Sequence, residues 1–359
     1  MLPARRSSLL LLAVLAGSPS AAAPVEEKMA AMGVPRVALL AHRGVAWDAP
    51  EETLPSFLLA GLLGADYLEM DLHLTKDGVV VLNHDDTFER TTDVARKFPG
   101  REKRLVGDFT WEEVSRLDAG ESYNDAGSFW TLRRRFPRAA FQGAKVLRLE
   151  ELPAIARAWP GLEPGLYVEA KYPDEHPDYA VKVAEGIVSV LRGAGWIKGQ
   201  PDDGRRVIFE SFSADAVKRF KSLAPTVPAT FLYDAVYTTG QEDAAIRQAL
   251  DCGADIIGPN LLPWRYRGFI ARAHAKGLAV HPWTIDDKII LGRFRVVSGR
   301  RLMRLMTRGG VDGFFTNQVY LGEGLSGRAP AVYPRTPGGI PDWPRVWELV
   351  DAKMKERAF

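Results

Sequence analysis

The chain has 359 residues, 46% of them hydrophobic, which is enough apolar content to bury a core and excludes an intrinsically disordered protein. Lys and Arg total 47 against 45 Asp and Glu, a formal net charge of +2, so opposite charges are interspersed and no nucleic acid partner is expected. The single cysteine, Cys252, excludes an internal disulfide and any multi-thiolate metal site.

The first residues, "MLPARRSSLLLLAVLAGSPSAAAPVEE", carry Arg5 and Arg6, an apolar run from Leu9 to Ala16, then small residues from Ser18 to Ala23. This is the pattern of a secretory signal peptide over residues 1–23, and it predicts an exported protein, periplasmic or secreted. Pro24 discourages a cut after Ala23, so a cut after Ala22 is equally open. The apolar run is far shorter than the roughly 20 residues of a membrane helix. No longer run follows it, so no stable membrane span is expected in the mature protein, with an uncleaved anchor as the alternative.

Eight short apolar or β-branched runs come next, at 37–41, 67–74, 165–170, 206–212, 230–233, 255–258, 279–283 and 313–316. Helical patterns such as "LPSFLLAGLLGA", "SADAVKRFKSLA" and "YRGFIARAHAKG" separate most of them. Strand and helix alternating eight times predicts an α/β fold, a (β/α)8 TIM barrel, over about residues 36–322.

A ninth run, 79–84, follows the second strand too closely for a parallel crossover and must return antiparallel. The Asp77-Gly78 pair suits a two-residue type I′ turn. With Lys76 opposite Val79, His84 would stand opposite Asp71, and Glu69 would share the face of Asp71. Residues 88–147 then interrupt the alternation as an inserted subdomain or lid. Its Arg133, Arg134 and Arg135 read as solvated surface in preference to substrate contacts. Residues 323–359 form a C-terminal extension ending in an amphipathic helix, "DWPRVWELVDAKMKERA".

Active sites of such barrels lie at the C-terminal ends of the strands. Those ends carry "AHRG" with His42 and Arg43, "LEMD" with Glu69 and Asp71, "VEAK" with Glu169 and Lys171, and "HPWT" with Trp283, while the hairpin returns His84. Three carboxylates about 5 Å apart repel by roughly 3 kcal/mol per pair at an effective dielectric near 20, about 10 kcal/mol in all. One divalent cation is the simplest remedy, and all-oxygen ligation selects Ca2+ or Mg2+. A structural ion-pair network with Arg43 and Lys171 is the alternative. Two histidines at one mouth can share acid and base work, and Arg43 with Lys171 suits a phosphate, so the set favours phosphoryl transfer. His73, His176, His274 and His281 read as structural or surface groups. Glu51 serves either the site or a helix N-terminus, and Trp283 either a substrate wall or core packing.

"AHRG", "APEETLPSFLLAGLLGADYLEMDLHLTKDGVVVLNHDDTFERTTDV", "YVEAK", "HPWTIDD" and "GGVDGFFTNQ" in this order resemble the glycerophosphodiester phosphodiesterase family, over about residues 37–322. The long insertion is similar to that of the family's exported bacterial members. The resemblance implies metal-dependent hydrolysis of a small-molecule glycerophosphodiester to sn-glycerol 3-phosphate and an alcohol. It implies Glu69, Asp71 and Glu169 as metal ligands, with help from Glu51 in many members. It further implies His42 and His84 as the acid/base pair, Arg43 and Lys171 as phosphate contacts, and Trp283 as the pocket aromatic. The family's usual Pro-Glu-Asn-Thr is here Pro-Glu-Glu-Thr, with Glu52 in place of the asparagine. The rival readings are a phospholipase of C or D type acting on intact lipids in the same barrel, and a non-catalytic barrel that binds phosphorylated ligands.

Overall fold

The computed structural model describes residues 23–121, 123, 141–171, 178–198, 206–234, 238–260, 266–286, 289–291, 295–325 and 331–356. The signal-peptide reading rests almost wholly on residues 1–22, which lie outside the described residues, as do Arg133, Arg134, Arg135 and His176.

In chain order, helix α1 (Ala23–Ala31) leads to β1 (Ala38–Ala41), α2 (Leu54–Leu62), β2 (Tyr67–Leu74) and β3 (Val80–Leu82). The insertion contributes α3 (Val94–Lys97) and α4 (Trp111–Val114), after which α5 (Leu152–Ala156), β4 (Gly165–Ala170), α6 (Tyr179–Gly193) and β5 (Val207–Ser211) resume the alternation. It continues through α7 (Ala214–Leu223), β6 (Ala229–Tyr233), α8 (Thr239–Asp251), β7 (Ile256–Pro259), α9 (Tyr266–His274) and β8 (Ala279–Val280). A β9 (Ile289–Leu291) and β10 (Arg295–Val297) hairpin, α10 (Gly299–Arg308), β11 (Gly313–Thr316) and α11 (Trp343–Lys355) complete it.

Strands pair in parallel in the order β11-β1-β2-β4-β5-β6-β7-β8. The backbone bonds from Asp312 to Val280 and from Phe315 to Pro282, both 3.1 Å, draw the two ends together. The result is the (β/α)8 barrel that the alternation predicts. Side chains alternate across each strand, and the two sets have different environments. Residues such as Leu39, Leu68, Met70, Val168 and Phe209 face the helices in the larger apolar core. Leu40, Tyr67, Tyr167, Ile208, Ile256 and Phe315 fill the barrel's interior.

Helix α1 seals the N-terminal end of the barrel, because Val25 and Met29, with Val34, join that interior cluster. Lys28 anchors it to Asp255 at 3.0 Å. Above this floor the Tyr167 hydroxyl meets Thr230 Oγ1 at 2.5 Å and His281 Nδ1 at 3.2 Å. The interior is thus packed below and polar above. The described part of the insertion has a small core of its own, with Phe88, Phe109, Val114 and Leu117 around Val81 of β3. Among the described residues no helix is long and apolar enough to cross a membrane.

Two local expectations are corrected. The hairpin register is shifted by one, with Leu72 opposite Leu82, His73 opposite Val81 and Leu74 opposite Val80. The turn holds three residues, because Thr75 N donates to Val79 O at 2.9 Å and Gly78 N to Thr75 O at 2.9 Å. Gly78 takes φ +81°, the left-handed position that closes a three-residue hairpin loop. The seventh run is shorter than its apolar length, since β8 ends at Val280 and Trp283 keeps only an isolated bridge to Asn260.

Candidate active site

The corrected register places Asn83 opposite Asp71, with Asn83 N donating to Asp71 O at 3.0 Å, so His84 lies just beyond the end of β3. It still reaches the mouth. The Asn83 amide pins the loop that carries it, donating to Asp85 O at 2.5 Å and Thr87 O at 3.0 Å. His73 shares the inward face of Glu69 and Asp71, where its Nδ1 lies 3.2 Å from the Tyr179 hydroxyl. It is buried, as are His274, paired with Asp312 at 2.8 Å, and His281. None of the three is a surface group.

The "HRG" turn after β1 depends on its glycine. Gly44 has φ +81°, and a Cβ there would stand 2.3 Å from Ser56 Oγ. That hydroxyl accepts from Val45 N at 2.8 Å and donates to Arg43 O at 3.2 Å. Arg43 itself adopts φ +53°. In that conformation its N–H donates to Glu69 Oε2 at 2.7 Å, while its guanidinium meets Asp71 at 3.1 Å and Glu51 at 3.2 Å.

Lys171 approaches Asp71 at 3.4 Å and Glu169 at 3.2 Å. These cations decide which acids are compensated. Asp71 is held below the ordinary carboxylate range despite burial, by Lys171, His84 and Arg43. Glu169 moves up to about 8, through burial and the charge of Asp71, against the pull of Lys171. Burial and neighbouring carboxylates also raise Glu69 well above its ordinary value.

One acid at the mouth escaped the sequence reading. Glu210 of β5 is buried and stands level with Glu169 in the parallel register. Glu69, Glu169 and Glu210 each present an oxygen to one spot, all within 4.8 Å of one another. Burial and the charges of Glu69, Glu169 and Asp71 raise Glu210 as well. A signal for it existed in period two: Tyr67 then Glu69, Tyr167 then Glu169, Ile208 then Glu210, each an apolar inward residue followed by an inward acid.

The two candidate catalytic histidines have different partners. His42 Nδ1 lies 2.8 Å from Asn317 Oδ1, and the amide orientation follows from Asn317 Nδ2 donating to Asp286 at 2.7 Å. The Nδ1 of His42 is therefore the donor, leaving Nε2 as an acceptor. Burial, aided by Arg43, lowers His42 to about 3. His84 Nδ1 instead meets the Asp85 carboxylate at 2.6 Å. Asn317 and Asp286 were not singled out from the sequence, because nothing local marks a loop amide 275 residues from His42 as its partner.

Glu51 lies in the site but is engaged by Arg43 and, through two bonds of 2.8 and 2.7 Å, by Arg90, which also grips Asp85. These guanidinium groups outweigh burial and hold Glu51 at about 2. Trp283 donates Nε1–H to Gly258 O at 3.0 Å and meets Phe212 edge to face at 5.7 Å. Trp283 and Phe212 thus form a half-buried aromatic corner.

Glu52 is buried at φ +59°, accepts from Asp71 N at 3.0 Å, and leaves Oε2 without a hydrogen-bond partner. Burial and the charges of Asp71 and Glu69 raise its pKa. Left-handed backbone favours asparagine over glutamate, and such strain costs of order 1–3 kcal/mol. Glu52→Asn is therefore expected to stabilise the protein by about 1–2 kcal/mol, a rise of a few degrees in melting temperature. A lower melting temperature would show that the Glu52 carboxylate contributes more than it strains.

A model of the glycerophosphoryl diester phosphodiesterase family matches residues 42–321. The glycerophosphodiester phosphodiesterase of Bacillus subtilis is 29% identical over 289 residues, 79% of this chain and 84% of the relative. A crystal structure of an Agrobacterium tumefaciens glycerophosphodiester phosphodiesterase covers 81% of this chain and 100% of its own, with TM-score 0.56 and 23% identity. An Oleispira antarctica phosphodiesterase, solved with the product sn-glycerol-3-phosphate, covers 80% of this chain and 94% of its own, with TM-score 0.57 and 23% identity. At that identity the two structures speak for the fold.

Proposed function

Since the chain belongs to the glycerophosphoryl diester phosphodiesterase family, we propose that it hydrolyses glycerophosphodiesters to sn-glycerol 3-phosphate and an alcohol, with one divalent cation, Ca2+ or Mg2+, and a pair of histidines. The observation that carries the reading is the convergence, at one barrel mouth, of buried carboxylates, two cationic side chains and two differently held imidazoles.

The residues present fit a cation. Three buried carboxylates share one spot, their charges raise one another's pKa, and one oxygen of Glu210 lacks any donor. Glu69 and Glu169, with Asp71 beside them, would hold the ion. When bound it supplies a Lewis acid for a phosphoryl oxygen and offsets charge that builds on it.

Arg43 and Lys171 bind the remaining phosphate oxygens, by forked and point-charge contacts. His42, held by a neutral amide on Nδ1 with Nε2 as an acceptor, takes the proton of the nucleophile, which is water or, through a cyclic phosphate that water then opens, the glycerol 2-hydroxyl. His84, whose Nδ1 lies 2.6 Å from the Asp85 carboxylate, protonates the departing alkoxide as its P–O bond breaks. Trp283 walls the organic part of the substrate. The signal-peptide pattern at residues 1–23 supports export, periplasmic or secreted.

The test is release of sn-glycerol 3-phosphate from glycerophosphocholine by the purified protein with Ca2+ or Mg2+ present. Stoichiometric glycerol 3-phosphate and choline are expected. Failure to release either from any glycerophosphodiester, or a preference for intact micellar lipid, would overturn the reading.

A further inference from the structure

We propose that Glu210 is an additional carboxylate ligand of the divalent cation, and that its charge makes the centre prefer Ca2+ to Mg2+; this rests on the cation-dependent reading above.

The ion pairs at the mouth leave Glu210 as the odd acid. Asp71 takes both Arg43 and Lys171, and Glu169 takes Lys171. Glu51 takes Arg43 and Arg90, while Glu69 accepts the Arg43 amide. No salt bridge among the described residues reaches Glu210, and its Oε2 is buried without a hydrogen-bond partner.

The polar groups below do not serve it either. Tyr167 turns its hydroxyl to Thr230 and His281. A buried acid kept only for packing or as a neutral hydrogen-bonding group would have a donor or acceptor beside it. Glu210 has two other carboxylates beside it, and a cation at their meeting point is the one partner that would satisfy all three.

The ligand count bears on which ion. Mg2+ is usually held by one or two carboxylates and keeps several waters, whereas Ca2+ accepts six to eight oxygens, several of them from carboxylates. Oxygens on opposite sides of Ca2+ stand about 4.8 Å apart at typical bond lengths. The Glu69, Glu169 and Glu210 oxygens all lie within 4.8 Å of one another, so their spacing accommodates Ca2+. Adding Asp71, which stands opposite Glu169 in the parallel register and shares Lys171 with it, gives four acids, a number that favours the larger ion.

The experiment compares chelator-stripped wild type with Glu210→Gln and Glu210→Asp by calorimetric titration of CaCl2 and MgCl2, and by melting with and without each ion. Wild type is expected to bind Ca2+ more tightly than Mg2+. Glu210→Gln should weaken Ca2+ binding by about tenfold or more, weaken Mg2+ less, and reduce the Ca2+-induced rise in melting temperature. Glu210→Asp, which keeps the charge on a shorter arm, should fall between them.

Stripped Glu210→Gln should melt no lower than stripped wild type, since a buried like charge is gone. A much lower melting temperature would mark Glu210 as structural and overturn the proposal. So would an unchanged Ca2+ affinity, and an equal loss for both ions would overturn the selectivity. Wild type binding neither ion would instead sink the cation-dependent reading itself.

Discussion

Replacing His42 by alanine is expected to lower turnover of glycerophosphocholine by about 100- to 10,000-fold with the fold intact, and His84→Ala should do the same. In the proposed mechanism each imidazole has one task, and each is held at Nδ1 by a different partner, so neither is expected to take over from the other. In the His42–Asn317–Asp286 chain, the Asn317 amide accepts from Nδ1 and leaves Nε2 as the acceptor nitrogen, as the proposed base requires. Asn317→Leu should therefore share much of the loss through the wrong tautomer and a freed ring, although Asn317 itself lies behind His42. Burial and Arg43 hold His42 at about 3, below its ordinary 6.5. The base thus stays neutral as pH falls from 6.5 toward 3, and no loss of kcat/KM near pH 6.5 should arise from His42. Stopped-time assays of both alanine variants, with circular dichroism to confirm folding, check this. Near-normal turnover in either variant would remove that histidine from the mechanism.

Chelation is expected to have an effect of similar size, abolishing glycerol 3-phosphate release, with return on adding Ca2+ or Mg2+. The reason is electrostatic. Glu52, Glu69, Asp71, Glu169 and Glu210 are all buried at the mouth, and among the described residues the salt bridges to them come from Arg43 and Lys171. A phosphodiester is itself an anion and would enter an uncompensated negative site, where a pair of like charges about 5 Å apart repels by roughly 3 kcal/mol at an effective dielectric near 20. Glu69→Gln should reproduce part of the chelation phenotype by raising the ion concentration needed for half-maximal activity. Full activity in a metal-free chelated sample would overturn the cation's role and leave Arg43 and Lys171 as the whole phosphate site.

Much of this architecture was legible in advance. Strands β2, β4 and β11 begin and end where the apolar runs at 67–74, 165–170 and 313–316 do. Barrel strands buried on both faces carry continuous apolar sequence bounded by turn residues, so their limits are written locally. That His42, Arg43, Glu69, Asp71, Glu169 and Lys171 meet at one mouth was legible for a related reason, since residues at the C-terminal ends of such runs line the same end of the barrel. The hairpin register was not. The same Asp-Gly pair serves a two-residue or a three-residue loop, and Thr75 settled the matter by pairing its backbone with Val79 and holding Val79 N at 2.9 Å with its hydroxyl.

The amino-acid sequence by itself determined the alternation that makes a barrel, the strand ends that carry the acids and histidines, and the phosphoryl chemistry those residue types favour. Each of these depends on periodicity and side-chain identity within a few residues. Only the tertiary structure decided that Glu210 joins Glu69 and Glu169, that Arg43 and Arg90 occupy Glu51, and that Asn317 and Asp286 set the proton on His42. Those outcomes depend on distances between residues 8 to 275 positions apart in the chain, which close only when the barrel does.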